Sequence, residues 1–354
     1  MPMPPRFLFL EVNKACNLRC GHCDFWQRDD LDKPNYIDRK RKRQIVEEFA
    51  ALSPHGSIVI CGGEPMLDLE EYFAICKDGR EFGLNLLSVV NGTRIRDLAM
   101  AEKMIRQGPH KISISLNSPD AAEHDRTRGV QGAFNKATNA IRMLLAARKS
   151  VGDMSTGIYV MGLVYGANSH RIRAFHDFVL GDLGADKLKL NFIQPTFGQS
   201  GEVDPFFATE SDINGEQLVS DIADATRRHG VETNPRWLAQ VKMYFQSLAG
   251  IGDLDRGWAS QGRTSEHICN TYDRNIMVNH YGMARLCFSD SFRGEVLRTP
   301  GDLARFWNSA EDIRREMRQC NRFCGISHSV RKESSTLGGV RSAESFSMND
   351  RKMN

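Results

Sequence analysis

Three cysteines stand close together near the start of the chain, in the stretch ACNLRCGHCDFW. They are Cys16, Cys20 and Cys23, and their spacing is Cys-x3-Cys-x2-Cys. Three thiolates can hold three irons of a [4Fe–4S] cluster and leave the fourth iron without a protein ligand. They can also supply part of a tetrahedral zinc site, which needs a fourth ligand. His22 lies inside the triplet but is poorly placed to complete such a site, so the spacing favours the iron–sulfur cluster.

A second group of cysteines lies in the last third of the chain. Its members are Cys269, Cys287, Cys320 and Cys324. Four thiols suffice to ligate every iron of another cluster, which favours electron transfer over direct substrate binding. A structural zinc site on the same four residues is the alternative. His267 and His328 are close enough in sequence to replace one of the thiols.

Two of the nine cysteines belong to neither group. In a reducing compartment clustered thiols are more often metal ligands or catalytic groups than disulfides. Cys76 has no cysteine or histidine near it, and we expect a small core residue there. Cys61 stands beside two glycines, and its pattern fits either a buried strand cysteine or a hydrogen donor.

Composition gives few hints of a macromolecular partner. The 354 residues carry 47 basic and 44 acidic side chains, spread along the chain, for a formal charge of +3. We therefore expect neither nucleic acid nor an anionic membrane as partner. The densest basic run, residues 38–49, has apolar and acidic residues at helical intervals and predicts a solvated helix face. No stretch reaches the ~18 apolar residues of a membrane span, and no long apolar segment opens the chain, which predicts a cytoplasmic protein.

Short runs rich in β-forming residues alternate with longer helical patterns through the first two thirds of the chain. The runs are RFLFLEV, SIVICGG, LNLLSVVNG, HKISISLNS, TGIYVMGLVYG and DKLKLNFIQP. Repeated strand–helix units predict an α/β fold with a parallel sheet. Six units are too few for a closed eight-stranded barrel, so we predict an open, partial (β/α)6 barrel of the TIM type.

Alternation within the sixth run predicts which face of the sheet binds a ligand. Leu188, Leu190 and Phe192 share one face, which we expect beneath the outer helices. The other face carries Lys187, Lys189 and Asn191. A polar concave side is typical of a ligand cavity, so these three are candidate substrate contacts. For Lys187 the alternative is a solvated strand start.

The strand–helix rhythm fades at about residue 235. We predict a barrel domain over 1–235 and a smaller cluster-binding domain over 236–330. The remaining residues, 331–354, are rich in Ser, Gly and charge and are expected to form a flexible tail.

The cysteine triplet after a first strand, with CGGEP at the end of the second, resembles the signature of radical S-adenosylmethionine (SAM) enzymes. In that family the amino and carboxylate groups of SAM ligate the open iron, so the resemblance implies a [4Fe–4S] cluster with SAM as cosubstrate. It also implies a flavodoxin- or ferredoxin-type electron donor. The family usually has an aromatic residue at the position of His22, whose backbone is still expected to meet the adenine.

The resemblance assigns further residues to SAM. Gly62, Gly63, Glu64 and Pro65 match the glycine-rich strand end that meets the methionine amino group, where the backbone must come close to the ligand. The remaining implied contacts are Asn91, Ser115, Asn117, Arg128, Asn168 and Gln194. Arg128 is a candidate carboxylate clamp, because guanidinium pairs bidentately with carboxylate. The alternative for Arg128 is a surface ion pair at a helix entry.

The spacing of Cys269 and Cys287 resembles the SPASM and twitch auxiliary domains found C-terminal to some radical SAM cores. A full SPASM domain carries more cysteines and two clusters. With four cysteines left, this chain is similar to the shorter twitch form, which implies one auxiliary [4Fe–4S] cluster.

The resemblance implies reductive cleavage of SAM to a 5′-deoxyadenosyl radical, which abstracts hydrogen from a substrate. A two-electron oxidation, an epimerisation and a radical lyase or mutase reaction all stay open, and the auxiliary cluster favours oxidation. Few residues precede the first strand, so we expect no leader-binding module. We therefore favour a small polar substrate of secondary or cofactor metabolism (a sugar, aminocyclitol, nucleoside or carboxylate) over a peptide.

Two other functional classes fit part of the pattern. An iron–sulfur electron carrier needs clusters but neither the glycine-rich strand end nor a polar cavity, so those features disfavour it. An activase that installs a glycyl radical on a partner protein needs a docking surface, which sequence does not reveal.

Overall fold

The computed structural model describes residues 2–27, 37–194, 204–249, 267–269, 271–288, 292–319 and 329–331. Its strands are β1 (Phe7–Glu11), β2 (Ser57–Cys61), β3 (Asn85–Val90), β4 (Lys111–Ser115), β5 (Gly157–Val164), β6 (Lys187–Phe192), β7 (His267–Cys269), β8 (Asn275–Val278), β9 (Met283–Arg285), β10 (Glu295–Val296) and β11 (Ser329–Arg331). Its α-helices are α1 (Arg39–Leu52), α2 (Leu69–Glu81), α3 (Leu98–Gln107), α4 (Ala121–Arg128), α5 (Ala133–Val151), α6 (Gly166–Ser169), α7 (Ile172–His176), α8 (Pro205–Glu210), α9 (Gly215–Arg228), α10 (Pro235–Ala249), α11 (Asp302–Ser309) and α12 (Glu311–Gln319). None of these helices is long and apolar enough to cross a membrane.

The first six strands form the predicted parallel sheet. They lie side by side in sequence order, from β1 to β6, and every neighbouring pair is parallel. Each predicted β-rich run contains one of them. Because the strands are parallel, their carboxyl ends meet at one edge of the sheet, where ligands bind in α/β folds.

Alternation along the strands separates an apolar face from a polar one, as predicted. Leu188 and Leu190 of β6 pack against the main core, while Phe192 packs in a second cluster with residues of α9 and α10. On the opposite face, here called the inner face, Lys187 and Asn191 are exposed. The Lys189 ammonium lies 4.4 Å from the centroid of the Tyr159 ring, a cation–π distance.

The sheet continues beyond β1 with strands from the C-terminal part of the chain. β8 pairs in parallel with β1, β9 pairs antiparallel with β8, and β10 pairs antiparallel with β9, which gives a mixed sheet of nine strands among the described residues. The six-unit pattern did not predict these strands, because they are two to four residues long and no helix separates them. The domain boundary at 235 stays a prediction, and residues 332–354 lie outside the described residues.

The prediction of a solvated face for the basic run was wrong in part. Arg41 and Lys42 of α1 are buried. Arg41 lies 2.5 Å from the Glu48 carboxylate and donates to the carbonyl of Leu297, and Lys42 lies 3.3 Å from Glu71. The helix α1 packs against α2 and α11, and Glu48 of α1 and Glu71 of α2 neutralise the two cations there.

Candidate functional site

The three N-terminal cysteines lie together in a loop that follows β1. Cys20 is buried with Leu18 and Ala133, and Cys16 and Cys23 pack against the same cluster. Burial is the main cause that raises the pKa of the Cys16 thiol, with a smaller contribution from Cys20. Burial also raises the pKa of Cys23 to about 12, with smaller contributions from Cys20 and Cys16. The three thiols are therefore close enough to interact, and a bound metal would favour the thiolate forms of Cys16 and Cys23.

The end of β2 clamps one side of this cysteine loop. The amide of Gly63 donates to the carbonyl of Asn13 at 3.0 Å, and the amide of Glu64 donates to the carbonyl of Ala15 at 2.8 Å. A Cβ on Gly62 would lie 2.2 Å from the Asn13 oxygen, and one on Gly63 would lie 2.3 Å from the Ala15 oxygen. The glycines therefore permit a close approach to the chain's own cysteine loop, and their predicted contact with the methionine amino group stays a prediction.

The carboxyl end of α4 clamps the other side of the loop. The amide of Arg19 donates to the carbonyl of Arg128 at 3.0 Å, and the amide of Gly21 donates to that of Thr127 at 3.1 Å. Gly129 has φ +64°, and a Cβ there would lie 2.2 Å from the Arg19 oxygen. Sequence reasoning missed Gly129, although a glycine directly after a helix with basic residues in its last turn is typical of a helix C-terminus.

Glu64 joins the ends of β2 and β3 from a buried position. Its two carboxylate oxygens accept hydrogen bonds from the amides of Met66, at 3.1 Å, and Asn91, at 2.7 Å. Burial raises the pKa of Glu64 to about 7, although both hydrogen bonds act in the opposite direction. The side chain therefore fixes the strand ends around the cysteine loop.

Asn91 takes part in a closed network with the same loop. Its amide nitrogen donates to Asn17 at 2.9 Å, and Asn17 donates in turn to the Thr93 hydroxyl at 2.8 Å. The Thr93 hydroxyl donates to the Asn91 oxygen at 2.7 Å. Sequence reasoning missed Asn17 and Thr93; the only signal was an amide side chain inside the CNLRC stretch. The contact of Asn91 with SAM stays a prediction.

Arg128 is buried at the end of α4, beside the cysteines. Its Nη2 donates to the Asn117 side-chain oxygen at 3.1 Å, and its Nη1 lies 3.7 Å from the Cys20 sulfur. The alternative of a surface ion pair at a helix entry is therefore wrong. The Nε of Arg128 is buried without a hydrogen-bond partner in the described part of the chain. The guanidinium thus contacts the Cys20 sulfur and offers a free donor to an anionic ligand.

Asn117 and Asn168 brace the ends of β4 and β5. The Asn117 oxygen also accepts the amide of Leu163 at 3.2 Å. The Asn168 nitrogen donates at 2.7 Å to the carbonyls of both Asn117 and Leu163, and its oxygen accepts the amide of Tyr165 at 2.8 Å. Their polar atoms thus have intramolecular partners, and their predicted SAM contacts stay predictions.

The remaining predicted SAM contacts occupy varied environments. Burial first, and then Arg128, lowers the pKa of His22 to about 3, so its ring is neutral at physiological pH. Its ring centroid lies 5.7 Å from that of Phe206. Ser115 is half-buried on the inner face, and Pro65 begins a 3₁₀ turn over Pro65–Leu67. The side-chain oxygen of Gln194 is buried and has no hydrogen-bond partner among the described residues.

These residues fit an iron–sulfur cluster with a polar ligand beside it. Three thiols lie together, a guanidinium contacts one of them, and buried polar atoms of Asn13 and Arg128 lack partners within the described residues. In the part of the chain that the structure describes, no three His, Cys, Asp or Glu side chains converge as ligands of one metal ion would.

The second cysteine group is described only in part. Cys287 is half-buried and lies two residues after the end of β9. The backbone of Cys269 pairs with Ser329, in the antiparallel β7–β11 pair. Cys320, Cys324 and His328, and the side chains of Cys269 and His267, lie outside the described residues. The auxiliary cluster site stays a prediction.

Comparison with known proteins identifies the domain. Residues 10–179 match the family described as the radical SAM superfamily. The chain carries a radical SAM domain. That domain implies a [4Fe–4S] cluster and SAM, and Cys16, Cys20 and Cys23 stay the predicted ligands of the cluster.

Two curated relatives share part of this domain. An AdoMet-dependent heme synthase from Methanosarcina barkeri is 29% identical over 147 residues, which cover 42% of this chain and 41% of the relative. A GTP 3′,8-cyclase from Synechococcus sp. is 28% identical over 158 residues, which cover 43% of this chain and 45% of the relative. The matches thus span less than half of either relative's length.

A solved structure of anSMEcpe with bound AdoMet and Cp18Cys peptide shares the fold. Its TM-score with this chain is 0.58 at 16% sequence identity, over 88% of this chain and 82% of that one. The likeness confirms the predicted partial barrel and is one of fold alone.

Proposed function

We propose that this radical SAM protein is an enzyme that abstracts a hydrogen atom from a small polar substrate. The observation that carries the proposal is the double clamp on the cysteine loop: the end of β2 and the end of α4 hold three thiols at the carboxyl edge of six parallel strands. When bound, the cluster and SAM supply reductive cleavage of the sulfonium and a 5′-deoxyadenosyl radical.

The residues of the chain position and shield this chemistry. Glu64 and Asn91 fix the strand ends around the loop. Arg128 places a cation beside Cys20 and a free N–H where an anionic group of SAM would be bound. The buried side of the loop, formed by Leu18 and Cys20 with Ala133, keeps water from that side of the thiols, where it would otherwise quench reactive intermediates.

Substrate contacts are expected on the inner face of β5 and β6. Lys187 and Asn191 are exposed there, and Lys189 lies above the Tyr159 ring. Cationic and amide groups suit a sugar, aminocyclitol, nucleoside or carboxylate. The auxiliary cluster proposed for Cys269, Cys287, Cys320 and Cys324 supports a two-electron oxidation as the outcome. A flavodoxin- or ferredoxin-type protein would supply electrons.

Isotope transfer tests this function. Reconstituted protein is incubated anaerobically with dithionite, SAM and deuterated compounds of each class, together with a deuterated peptide. We expect 5′-deoxyadenosine to form and to gain deuterium from a small polar compound. Transfer from the peptide alone would replace the proposal with peptide modification, and failure to form 5′-deoxyadenosine would refute it.

A further inference from the structure

A second polar cluster lies on the inner face, next to the cysteine loop. Glu11 ends β1 and Cys61 ends β2, and their Cα atoms are partners in the parallel register. Their strand neighbours Leu10 and Ile60 are fully buried in the core. Because side chains alternate along a strand, Glu11 and Cys61 both lie on the inner face.

His280 joins this cluster from the C-terminal part of the chain. It lies in the hairpin between β8 and β9, and β8 runs parallel to β1, so its carboxyl end reaches the same edge of the sheet. The amide of His280 donates to the Glu11 carboxylate at 3.3 Å, and its Nδ1 lies 3.5 Å from the same oxygen.

The imidazole of His280 is an independent sign of a ligand. The residue is 9% exposed, and its Nε2 has no hydrogen-bond partner within the described residues, while its Nδ1 has only the Glu11 contact at 3.5 Å. Burying a polar group without a partner is costly, so such a group in a native protein needs an explanation. A polar substrate group bound beside Glu11 and Cys61 would supply one.

The environment of Cys61 keeps its thiol protonated. Burial, and to a lesser extent the neighbouring Glu11 carboxylate, raise the pKa of Cys61 well above its ordinary value. A thiol that retains its S–H bond is not a thiolate ligand or nucleophile, but it can still give up a hydrogen atom. The next residue, Gly62, contacts the cysteine loop at Asn13, so Cys61 lies one residue before the contact between β2 and that loop.

We propose that Glu11, Cys61 and His280 line the space in which the substrate reacts, and that the Cys61 thiol donates a hydrogen atom to a carbon radical formed there. The proposal rests on the hydrogen abstraction proposed above, and it makes return of a hydrogen atom, as in an epimerisation, the outcome in place of the two-electron oxidation. In the step, a C–H bond forms and the S–H bond breaks; the carbon radical is reduced and the thiol is oxidised to a thiyl radical. One electron from the reductant, dithionite in the assay, and one proton restore the thiol.

The test needs no substrate, because the 5′-deoxyadenosyl radical is itself a carbon radical at this site. Reconstituted protein is exchanged into D2O and incubated anaerobically with SAM and dithionite, and the 5′-deoxyadenosine is analysed by mass spectrometry. The S–H of Cys61 becomes S–D, whereas carbon-bound hydrogens of the protein do not exchange. We expect wild-type product to carry one deuterium, and Cys61→Ala product to lose this label.

Two control variants make the result decisive. Cys61→Ser keeps the size and an exchangeable proton, but its O–H bond is too strong to donate, so it should also lose the label. Cys76→Ala removes a thiol that is fully buried in the core, as predicted, and should keep it. Undiminished label in both Cys61 variants, or unlabelled wild-type product, would overturn the proposal. Absence of 5′-deoxyadenosine from every protein would instead overturn the proposed function and the inference with it.

Discussion

Replacing Gly62 by alanine tests whether the clamp from β2 builds the cluster site. Gly62 has φ +131°, and a Cβ there would lie 2.2 Å from the Asn13 carbonyl oxygen. Backbone strain at such a φ costs about 1–3 kcal/mol, and overpacking against a fixed backbone atom costs about 1–3 kcal/mol more. The expected loss of unfolding free energy is therefore about 2–6 kcal/mol. The steric part of this loss can be relieved only if the cysteine loop moves away from β2.

Gly83→Ala is the matched control. Gly83 has φ +71°, but a Cβ there would meet nothing within 4 Å, so only the backbone strain applies. Urea unfolding of the metal-free proteins measures both losses, and iron and sulfide content after anaerobic reconstitution measures cluster assembly. We expect Gly62→Ala to be the less stable variant and to bind less iron. Equal stability and equal iron content in the two variants would refute the role assigned to the clamp.

Three further substitutions probe the residues around the loop. The pKa of Glu64 is raised from 4.5 to about 7, so the folded protein favours the protonated carboxyl. The resulting stabilisation is fully present below pH 4.5, and about 3 kcal/mol of unfolding free energy is lost as the pH rises from there through 7. Glu64→Gln should remove this pH dependence in urea titrations of the metal-free protein, and an unchanged dependence would contradict the assignment. In Arg128→Lys the lysine cannot reach both Cys20 and Asn117, so the unfolding free energy should fall by about 1.5–3 kcal/mol and SAM binding should weaken in calorimetry. Arg126→Lys, at an exposed position, is the control. Equal SAM affinity in the two variants would argue against a role for the Arg128 guanidinium. Asn168→Ala loses three hydrogen bonds at roughly 1 kcal/mol each, which should be visible as a lower thermal midpoint; an unchanged midpoint would mean that these bonds do not brace the strand ends.

The sequence was sufficient for the six parallel strands because each is an apolar run bounded by turn residues. The same alternation predicted that Leu188 and Leu190 pack against the core while Lys187 and Asn191 stay outside it. The cysteine triplet was recognisable because ligands of one cluster must be close in space, and a short loop meets that need directly.

Features that depend on distant parts of the chain were not predictable in the same way. The pairing of β8 with β1 joins residues more than 260 positions apart, such as Phe7 and Asn275, and places His280 beside Glu11. No local pattern marks either contact. Burial of Arg41 likewise depends on how α1 packs against α2 and α11, and not on the composition of α1 itself.

The central claim is that the N-terminal thiols hold a cluster with one iron open to SAM. Electron paramagnetic resonance of the anaerobically reconstituted, dithionite-reduced protein tests it most directly, with the Cys16→Ala/Cys20→Ala/Cys23→Ala triple variant as the reference for any other cluster. The signal present in wild type and missing from the variant should change shape when SAM is added. Zinc in place of iron at the triplet, or a difference signal that SAM leaves unchanged, would contradict the account.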